Sequence, residues 1–263
     1  YLELSENILQ ECIYRRSTDQ FTLKRNCWII KRTRVKQKKK TGKKKEYTLG
    51  KRVLIIGGAG FIGSNLSRYL LKKGMEVYCF DMTMPTNRIN DVLYINGNFF
   101  DDYTLENVLD GMDYVIHALS TVNPRNSNEK YLQGYERDFI QTAKLCKLII
   151  EKIRMIVLSS GGTVYGNQSI KPIREDALPK PINHYGNVKL CIENTIRTFN
   201  YQTHTKLLIA RISNPYGPGQ DFNRGVGFID AALKKSIRKE KIEIWGMGRM
   251  LEIIFTLMMC VRC

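Results

Sequence analysis

The chain has 263 residues, 43% of them apolar, which is enough to bury one large core or two modest ones. No stretch approaches about 18 consecutive apolar residues, and the first residues lack the compact apolar segment of a secretory signal, so we expect a cytoplasmic globular protein with no membrane span. The net charge is +17, but 16 basic and five acidic residues precede Val53, so 11 of these units lie in the first fifth of the chain. This concentration argues against a protein that binds nucleic acid specifically.

Residues 1–50 are predicted to form a basic, disordered extension. The lysines crowd between Lys31 and Lys51, and mutual repulsion favours a solvated segment over a packed one. A lysine-rich arm of this kind binds polyanions weakly and in a salt-dependent manner, which leaves a polyanion-binding module as an alternative function. Because no methionine precedes Met75, we expect that the natural start of the protein is not visible in this sequence.

Strand and helix patterns alternate from Lys51 onward. This alternation predicts an α/β fold, with a Rossmann-type doubly wound parallel sheet over residues 51–215 and a small, partial substrate-binding lobe over 216–245. The predicted strands are 52–57, 76–80, 92–96, 113–118, 154–159 and 206–211. The predicted helices include 61–73, 131–152 and 184–201, and the lobe is expected to contain a helix at 226–237 and a strand at 242–245.

A glycine-rich turn follows the first predicted strand. Val53–Ile56 is a short apolar run, typical of a parallel strand that is covered on both faces. Gly57, Gly60 and Gly63 have the spacing at which the backbone turns tightly and approaches a pyrophosphate, and the next helix begins there. Asp81 ends the following apolar run, where a carboxylate accepts hydrogen bonds from the adenosine ribose. The pattern predicts a dinucleotide site that prefers NAD to NADP.

Tyr185 and Lys189 are four residues apart, on one face of a predicted helix. A free tyrosine ionises only at about pH 10, so it is a poor base at neutral pH. A neighbouring lysine and a cationic nicotinamide both favour the phenolate, which makes Tyr185 a candidate proton acceptor for a sugar hydroxyl. The same spacing also occurs in ordinary amphipathic helices, and it is the surrounding segments that favour the catalytic interpretation.

Two further polar segments each follow a predicted strand. The first, LSSGGTVYG, contains Ser160 and Thr163, and the second, RISNPYGP, contains Arg211 and Asn214. Open parallel sheets bind their ligands at the carboxyl ends of the strands. We therefore expect Ser160 and Thr163 to lie near Tyr185, and Arg211 and Asn214 to contact a diphosphate or a sugar.

Taken together, these segments resemble the extended short-chain dehydrogenase/reductase family. Within that family they are most similar to the NAD-dependent epimerases and dehydratases of nucleotide sugars, of the UDP-glucose 4-epimerase type, from about Lys51 to Trp245. The residues that carry the resemblance are GGAGFIG at 57–63, Asp81, His117–Ala118, SSGGTVYG at 159–166, YGNVK at 185–189 and RISNPYGP at 211–218.

The resemblance implies a mechanism and a set of site residues. Tyr185 would take the proton of the sugar 4-hydroxyl while the C4 hydride passes to NAD, and the 4-keto sugar would turn over before the hydride returns. Lys189 would hold the nicotinamide ribose and lower the pKa of Tyr185, and Asn214 would contact the substrate diphosphate. Family members are commonly homodimers, for which the predicted helices 131–152 and 184–201 are candidates. Further cofactor contacts are implied for Phe61, Ile62, Asn98, Phe99, His117 and Ala118.

Three positions depart from the family pattern. The hydroxyl residue that usually partners the tyrosine falls at Gly161, so its role passes to Ser160 or Thr163 or is absent. A family asparagine near the cofactor falls at Asp138. An acid that commonly contacts adenine falls at Asn98, whose side chain can still bond the exocyclic amine.

Several alternatives to an epimerase stay open. Dehydratases of this family usually carry an Asp-Glu pair where this chain has Gly161–Gly162, and a reductase would stop after one hydride transfer. A product that folds its sheet without catalysing a reaction is a further alternative. The sequence shows no His, Cys, Asp or Glu spacing that indicates a metal site.

The C-terminal segment 246–263 is expected to be in a shifted reading frame. After Trp245 the family usually continues with Gly-Asp-Gly and then Arg-Asp-Tyr-Ile-Tyr-Ile-Asp-Asp-Val, which this chain lacks. When codons for Met250–Cys260 are read in a frame shifted by one base, they encode that family sequence. We therefore expect that one G was lost near the Trp245 codon, that the rest of the substrate lobe is missing, and that the apolar residues 253–259 have no place to pack.

Overall fold

The computed structural model describes residues 49–149, 153–169, 172–205, 207–221, 228–242 and 255–256. Its centre is a sheet of six parallel strands in the order β3-β2-β1-β4-β5-β6. The strands are β1 (Arg52–Ile56), β2 (Glu76–Asp81), β3 (Val92–Asn96), β4 (Tyr114–His117), β5 (Arg154–Ser160) and β6 (Leu208–Ile212). The strand order reverses between β1 and β4, which leaves a crevice at the carboxyl ends of these two strands.

Helices connect successive strands of the sheet except β2 and β3, which a loop joins. The helices are α1 (Phe61–Lys72), α2 (Asp102–Leu109), α3 (Tyr131–Gln133, Gly134–Phe139 and Ile140–Ile149), α4 (His184–Thr203) and α5 (Phe228–Ile237). The middle segment of α3, Gly134–Phe139, is a π-helical turn. None of the helices in the described ranges combines the length and the apolarity that crossing a membrane requires.

Alternate residues of β1 face the two sides of the sheet and place a core on each. Leu54 and Ile56 are fully buried among residues of α2, α3 and α4. Val53 and Ile55 are buried on the other side, where α1 packs. The continuous apolar run of β1 is therefore explained by a strand covered on both faces, and the predicted doubly wound parallel sheet is confirmed.

The predicted elements differ from the observed ones mainly at their ends. The strand expected at 206–211 runs from Leu208 to Ile212. Helix α2 was not predicted individually, although Asp101 caps it by accepting a hydrogen bond from the Thr104 amide at 3.2 Å. The helix expected at 226–237 is described from Phe228, and the expected strand at 242–245 lies almost entirely outside the described residues.

A second, two-stranded sheet joins β7 (Pro215–Tyr216) and β8 (Phe255–Thr256) in parallel. The backbone of Phe255–Thr256, within the segment 253–259, pairs with β7, and the expectation that the apolar side chains of this segment have no place to pack stays a prediction. The other residues of that segment, and the basic extension up to residue 48, lie outside the described residues. Disorder of the extension and the boundaries of the substrate lobe stay predictions.

Candidate functional site

The glycine turn packs against the strands on both sides of β1. Gly57 has a φ of +79°, and a Cβ there would lie 2.9 Å from the backbone of Leu119, just after β4. A Cβ at Gly58 would lie 2.3 Å from the Cys79 sulfur in β2, and one at Gly63 would lie 2.5 Å from the Gly57 carbonyl oxygen. A side chain at any of these three positions would push the turn away from the sheet.

Gly60 and the first turn of α1 form an open cradle. A Cβ at Gly60 would meet only the Gly57 carbonyl oxygen, at 3.3 Å. Gly60 is the N-cap of α1, and no side chain caps the helix. The first amides of α1 therefore retain the capacity to bind an anion, and the residues present fit the pyrophosphate of a dinucleotide.

Asp81 lies at the carboxyl end of β2, beside the glycine turn. Its carboxylate accepts hydrogen bonds from the Ala59 amide at 3.2 Å and from the Thr83 amide at 3.1 Å. Both bonds fix the carboxylate at the β2 end of the crevice, on the side away from β4. This is the position that the sequence predicts for a ribose-binding acid.

The other predicted cofactor residues surround the same crevice. Phe61 and Ile62 form the first turn of α1, and Ala118 continues β4, with its amide bonded to the Ile56 carbonyl at 2.9 Å. Asn98 is exposed, and its side chain accepts a hydrogen bond from the Phe100 amide at 3.0 Å. The Phe99 ring is buried in the core, so any contact with the cofactor would come from its backbone.

His117 ends β4 as a buried, neutral imidazole. Thr142 donates its hydroxyl proton to the Asp138 carbonyl at 2.5 Å, so its oxygen accepts from His117 Nε2 at 2.8 Å. His117 Nδ1 is therefore unprotonated, and it has no hydrogen-bond partner in the described part of the chain. Burial, together with the nearby Lys189 cation, lowers the pKa of His117 to about 3. His117 is thus a poor proton donor at neutral pH.

We expect His117 to make the fold sensitive to acid. An unfolded histidine binds a proton below its usual pKa of about 6.5, whereas the folded site resists protonation down to about pH 3. The unfolded chain then binds more protons, so stability falls as the pH decreases through this window, by about 2 kcal/mol between about pH 7.5 and about pH 5. Urea unfolding should show this loss in the wild type and a smaller one in His117→Gln. An equal loss in both proteins would contradict the assignment.

Tyr185 and Lys189 lie one turn apart near the start of α4. Asn183 caps this helix by accepting a hydrogen bond from the Gly186 amide at 2.8 Å, so Tyr185 falls in the first turn. Lys189 is buried, and its Nζ lies 5.6 Å from the centroid of the Tyr185 ring. The structure thus brings together the two residues that the sequence predicts as a catalytic pair.

The expected lowering of the Tyr185 pKa by Lys189 is not observed in the chain alone. Burial, reinforced by the carboxylate of Asp138, raises the pKa of Tyr185 to about 12. Burial also lowers the pKa of Lys189, and Asp138 opposes that change. In the chain alone the loss of solvation outweighs the attraction of one ammonium group. The lowered pKa that the resemblance implies includes a bound cationic nicotinamide, and it stays a prediction. A further positive charge is needed before Tyr185 becomes a base near neutral pH.

Asp138 lies on the π-helical turn of α3 and is buried. Its carboxylate accepts hydrogen bonds from the Ser120 hydroxyl at 2.6 Å and from the Thr121 amide at 2.9 Å. It therefore fixes the segment that follows β4 while its charge reaches Tyr185 and Lys189. Sequence reasoning flagged this position as a departure, but not its contacts.

Ser160 and Thr163 lie in the turn after β5. Ser160 Oγ accepts a hydrogen bond from the Thr163 amide at 3.2 Å. Thr163 Oγ1 is buried without a hydrogen-bond partner in the described ranges. Asn214 is exposed after β6, and a Cβ at Gly162 would lie 3.8 Å from its Oδ1. Asn214 thus lies beside this turn, and its contact with a substrate diphosphate stays a prediction.

Arg211 binds a buried carboxylate that sequence reasoning missed. Its Nε and Nη2 donate to the two carboxylate oxygens of Glu193 at 2.8 and 2.6 Å, and its guanidinium lies 4.6 Å from the Tyr165 ring centroid. Glu193 is fully buried and also accepts from Ser159 and Arg197. Because Nε and Nη2 of Arg211 already bind Glu193, the structure favours an internal role for Arg211 over the predicted substrate contact. The sequence does contain one signal for Glu193: it lies four residues after Lys189, and so on the same face of α4.

Comparisons with known proteins point to one family. The model of the NAD dependent epimerase/dehydratase family matches residues 53–251. A putative UDP-glucose 4-epimerase of Methanocaldococcus jannaschii is 29% identical over 204 residues, covering 74% of this chain and 66% of that protein. A dTDP-4-dehydro-6-deoxyglucose reductase of Escherichia coli is 30% identical over 210 residues, covering 74% and 65%. The chain spans 62–66% of the length of the first curated relatives that it matches.

Solved structures show the same fold. The UDP-glucose 4-epimerase of Thermotoga maritima, crystallised with UDP-glucose, superposes with a TM-score of 0.73 at 25% identity, over 80% of this chain and 71% of that one. MoeE5 in complex with UDP-glucose and NAD superposes with a TM-score of 0.69 at 28% identity, over 80% and 69%. The family match covers well over half of the chain and includes the glycine turn, Tyr185 and Lys189. The chain therefore belongs to the NAD dependent epimerase/dehydratase family.

Proposed function

We propose that this chain is an NAD-dependent nucleotide-sugar 4-epimerase of the UDP-glucose and UDP-galactose type. The observation that supports the proposal most strongly is the Tyr185 and Lys189 pair, which lies at the carboxyl edge of the sheet that also carries the open glycine cradle. A phenol at that edge has the right chemistry to exchange a proton with a sugar hydroxyl. The presence of epimerases among both the curated relatives and the solved structures supports the same choice.

The proposed roles divide the site between the cofactor and the sugar. Gly57, Gly60, Gly63 and the first amides of α1 hold the pyrophosphate of NAD, and Asp81 holds the adenosine ribose. When bound, NAD supplies a reversible acceptor for the hydrogen on the sugar carbon and a positive charge near the phenol. Further contacts with the cofactor are proposed for Phe61, Ile62, Asn98, Phe99, His117, Ala118 and Lys189.

Tyr185 moves the proton in the proposed reaction. Its phenolate takes the proton of the sugar 4-hydroxyl as that C–O bond becomes a carbonyl, and the resulting phenol returns the proton when the opposite configuration forms. The raised pKa of Tyr185 in the chain alone means that the phenolate forms mainly when a cationic ring is bound nearby. Lys189 holds the ribose that positions this ring, and Asn214 contacts the substrate diphosphate.

The direct test is product analysis with the chain as it exists. NAD-loaded protein is incubated separately with UDP-glucose and UDP-galactose, and the sugars are identified by NMR. Conversion in both directions to the same equilibrium mixture supports a 4-epimerase. Formation of a 4-keto-6-deoxy sugar would assign a dehydratase. Stoichiometric conversion of bound NAD to reduced cofactor, with release of the oxidised sugar nucleotide, would assign an enzyme that stops after one hydride transfer. Absence of turnover, with retention on heparin that is lost when residues 1–50 are deleted, would favour the polyanion-binding alternative.

Asp81→Asn is expected to weaken NAD binding. The amide keeps the shape of the carboxylate but removes its charge and one acceptor for the ribose hydroxyls. We expect the dissociation constant for NAD, measured by calorimetry, to rise about 10-fold. Asp110→Asn, at the end of α2 and away from the glycine turn, is the matched control and should leave the constant unchanged. Equal NAD affinity in the wild type and Asp81→Asn would contradict the role of Asp81.

A homodimer through α3 and α4 also stays a prediction. Ile140 and Leu148 of α3 and Tyr201 of α4 are exposed apolar side chains, with exposed fractions of 48%, 40% and 85%. Exposed side chains of this kind are compatible with an interface. Analytical ultracentrifugation of the full chain measures the oligomeric state directly.

A further inference from the structure

Gly161 lacks a side chain at the end of β5, and a hydroxyl from the neighbouring strand fills the space. A Cβ built at Gly161 would lie 2.5 Å from Ser213 Oγ. The two chain segments are held together there, because the Gly161 amide donates to the Ile212 carbonyl at 2.8 Å. A side chain at position 161 and the observed position of the Ser213 hydroxyl therefore exclude each other.

Gly161 and Ser213 each lie two residues beyond a side chain that contacts helix α4. Ser159 in β5 and Arg211 in β6 are register partners, and both side chains bond Glu193 of α4. Side chains alternate along a strand, so residues two positions further on lie on the same face. Gly161 and Ser213 are those residues. Ser213 is only partly buried.

The contacts on either side of Gly161 place it level with the catalytic pair. Before it, Ser159 contacts Glu193. After it, the Thr163 carbonyl lies against α4, since a Cβ at Gly186 would be 2.6 Å from that oxygen. The stretch of α4 between Gly186 and Glu193 contains Lys189, and Tyr185 directly precedes it. The turn that carries Gly161 thus runs alongside the segment of α4 that contains Lys189 and directly follows Tyr185.

We propose that Ser213 supplies the hydroxyl that Gly161 cannot, and donates a hydrogen bond to the oxygen at the reacting carbon of the sugar. This inference rests on the proposed function. Ser213 keeps its own proton throughout, while Tyr185 takes the substrate proton. The hydrogen bond holds the sugar hydroxyl against Tyr185, and it strengthens as negative charge develops on that oxygen. Ser160 Oγ accepts from the Thr163 amide, and Thr163 Oγ1 is buried without a partner in the described ranges. Ser160 and Thr163 are therefore the alternatives that the test must separate from Ser213.

The proposal is tested by removing the hydroxyl at position 213 and then restoring one at position 161. Ser213→Ala should lower kcat about 100-fold, the lower end of the loss seen when one donor to a developing oxyanion is removed, with a much smaller change in KM. The double variant Gly161→Ser with Ser213→Ala removes the 2.5 Å conflict with Ser213 Oγ and leaves a Cβ at position 161 at 3.2 Å from the backbone nitrogen of residue 213 and 3.3 Å from the Arg211 carbonyl oxygen. This variant should regain at least about a tenth of the wild-type kcat. Thr198→Ala, which removes an exposed hydroxyl elsewhere on α4, should leave kcat unchanged.

A binding measurement makes the test independent of turnover. In NAD-loaded Tyr185→Phe, adding Ser213→Ala should weaken binding of UDP-glucose about 5- to 10-fold, as expected for one lost hydrogen bond, and leave binding of UDP unchanged. Equal UDP-glucose affinity with and without Ser213→Ala would overturn the role of Ser213, and so would a loss of kcat that falls on Thr163→Val or Ser160→Ala instead. A wild type that binds UDP-glucose but never oxidises it would overturn the proposed function, while the binding arm still decides the role of Ser213.

Discussion

Tyr185→Phe should abolish nearly all turnover while the fold and the cofactor site stay intact. The substitution removes only the phenolic oxygen, and loss of a general acid–base group lowers kcat by about 1,000-fold. The affinity for NAD should change little, because the glycine cradle and Asp81 lie on the opposite side of the crevice. Turnover is measured by epimerisation of UDP-galactose, and cofactor affinity by calorimetry.

Tyr201→Phe is the matched control for this experiment. Tyr201 lies on the same helix and is 85% exposed, so its hydroxyl takes no part in the site and turnover should be unchanged. Retention of more than a tenth of the activity in Tyr185→Phe would contradict the role of Tyr185, because the remaining groups of the site have no comparable base.

Glu193→Ala is expected to destabilise the fold more than any other substitution considered. Burial alone would raise the pKa of Glu193, but hydrogen bonds from Arg211 and Ser159 outweigh it, so the pKa is lowered. Removing the carboxylate leaves the guanidinium of Arg211 largely buried without its partner, and such a loss costs about 3–5 kcal/mol. Urea unfolding at neutral pH measures this change in the free energy of unfolding.

The exposed pair of Arg174 and Asp176 provides the comparison. Their side chains are 69% and 70% exposed, so Asp176→Ala should change the free energy of unfolding by less than about 1 kcal/mol. If Glu193→Ala were no more destabilising than Asp176→Ala, the carboxylate would not anchor α4 to β5 and β6. The register argument that places Ser213 beside the catalytic pair would then lose its support.

The parts of the site that could be predicted are those encoded in one continuous segment. The glycine turn and Asp81 follow one another in a single strand, turn, helix and strand, and the periodicity of the sequence specifies all four elements. Tyr185 and Lys189 are likewise four residues apart on one helix. In each case the local pattern alone determines which residues share a face.

The contacts that were missed depend on the register between separate elements. Ser213 meets Gly161 only because β5 and β6 pair with Ser160 opposite Ile212. The carboxylate of Asp138 reaches the site from a π-helical turn, which the apolar pattern of α3 does not reveal. Arg211 was expected to bind substrate because a cation at a strand end fits a diphosphate, and its buried partner Glu193 is 18 residues away in the sequence. The spacing along α4 marks Glu193 itself, but no local pattern shows that it pairs with Arg211 or that Ser213 meets Gly161.

The most direct measurement of the central claim is the half-reaction on the chain itself. NAD-loaded protein is mixed rapidly with an excess of UDP-glucose, and the absorbance of reduced nicotinamide is followed during the first turnover. We predict that the wild type shows a transient rise in this absorbance and that Tyr185→Phe shows none. A wild type that binds both NAD and UDP-glucose but shows no rise, or a rise of equal rate in Tyr185→Phe, would contradict the account.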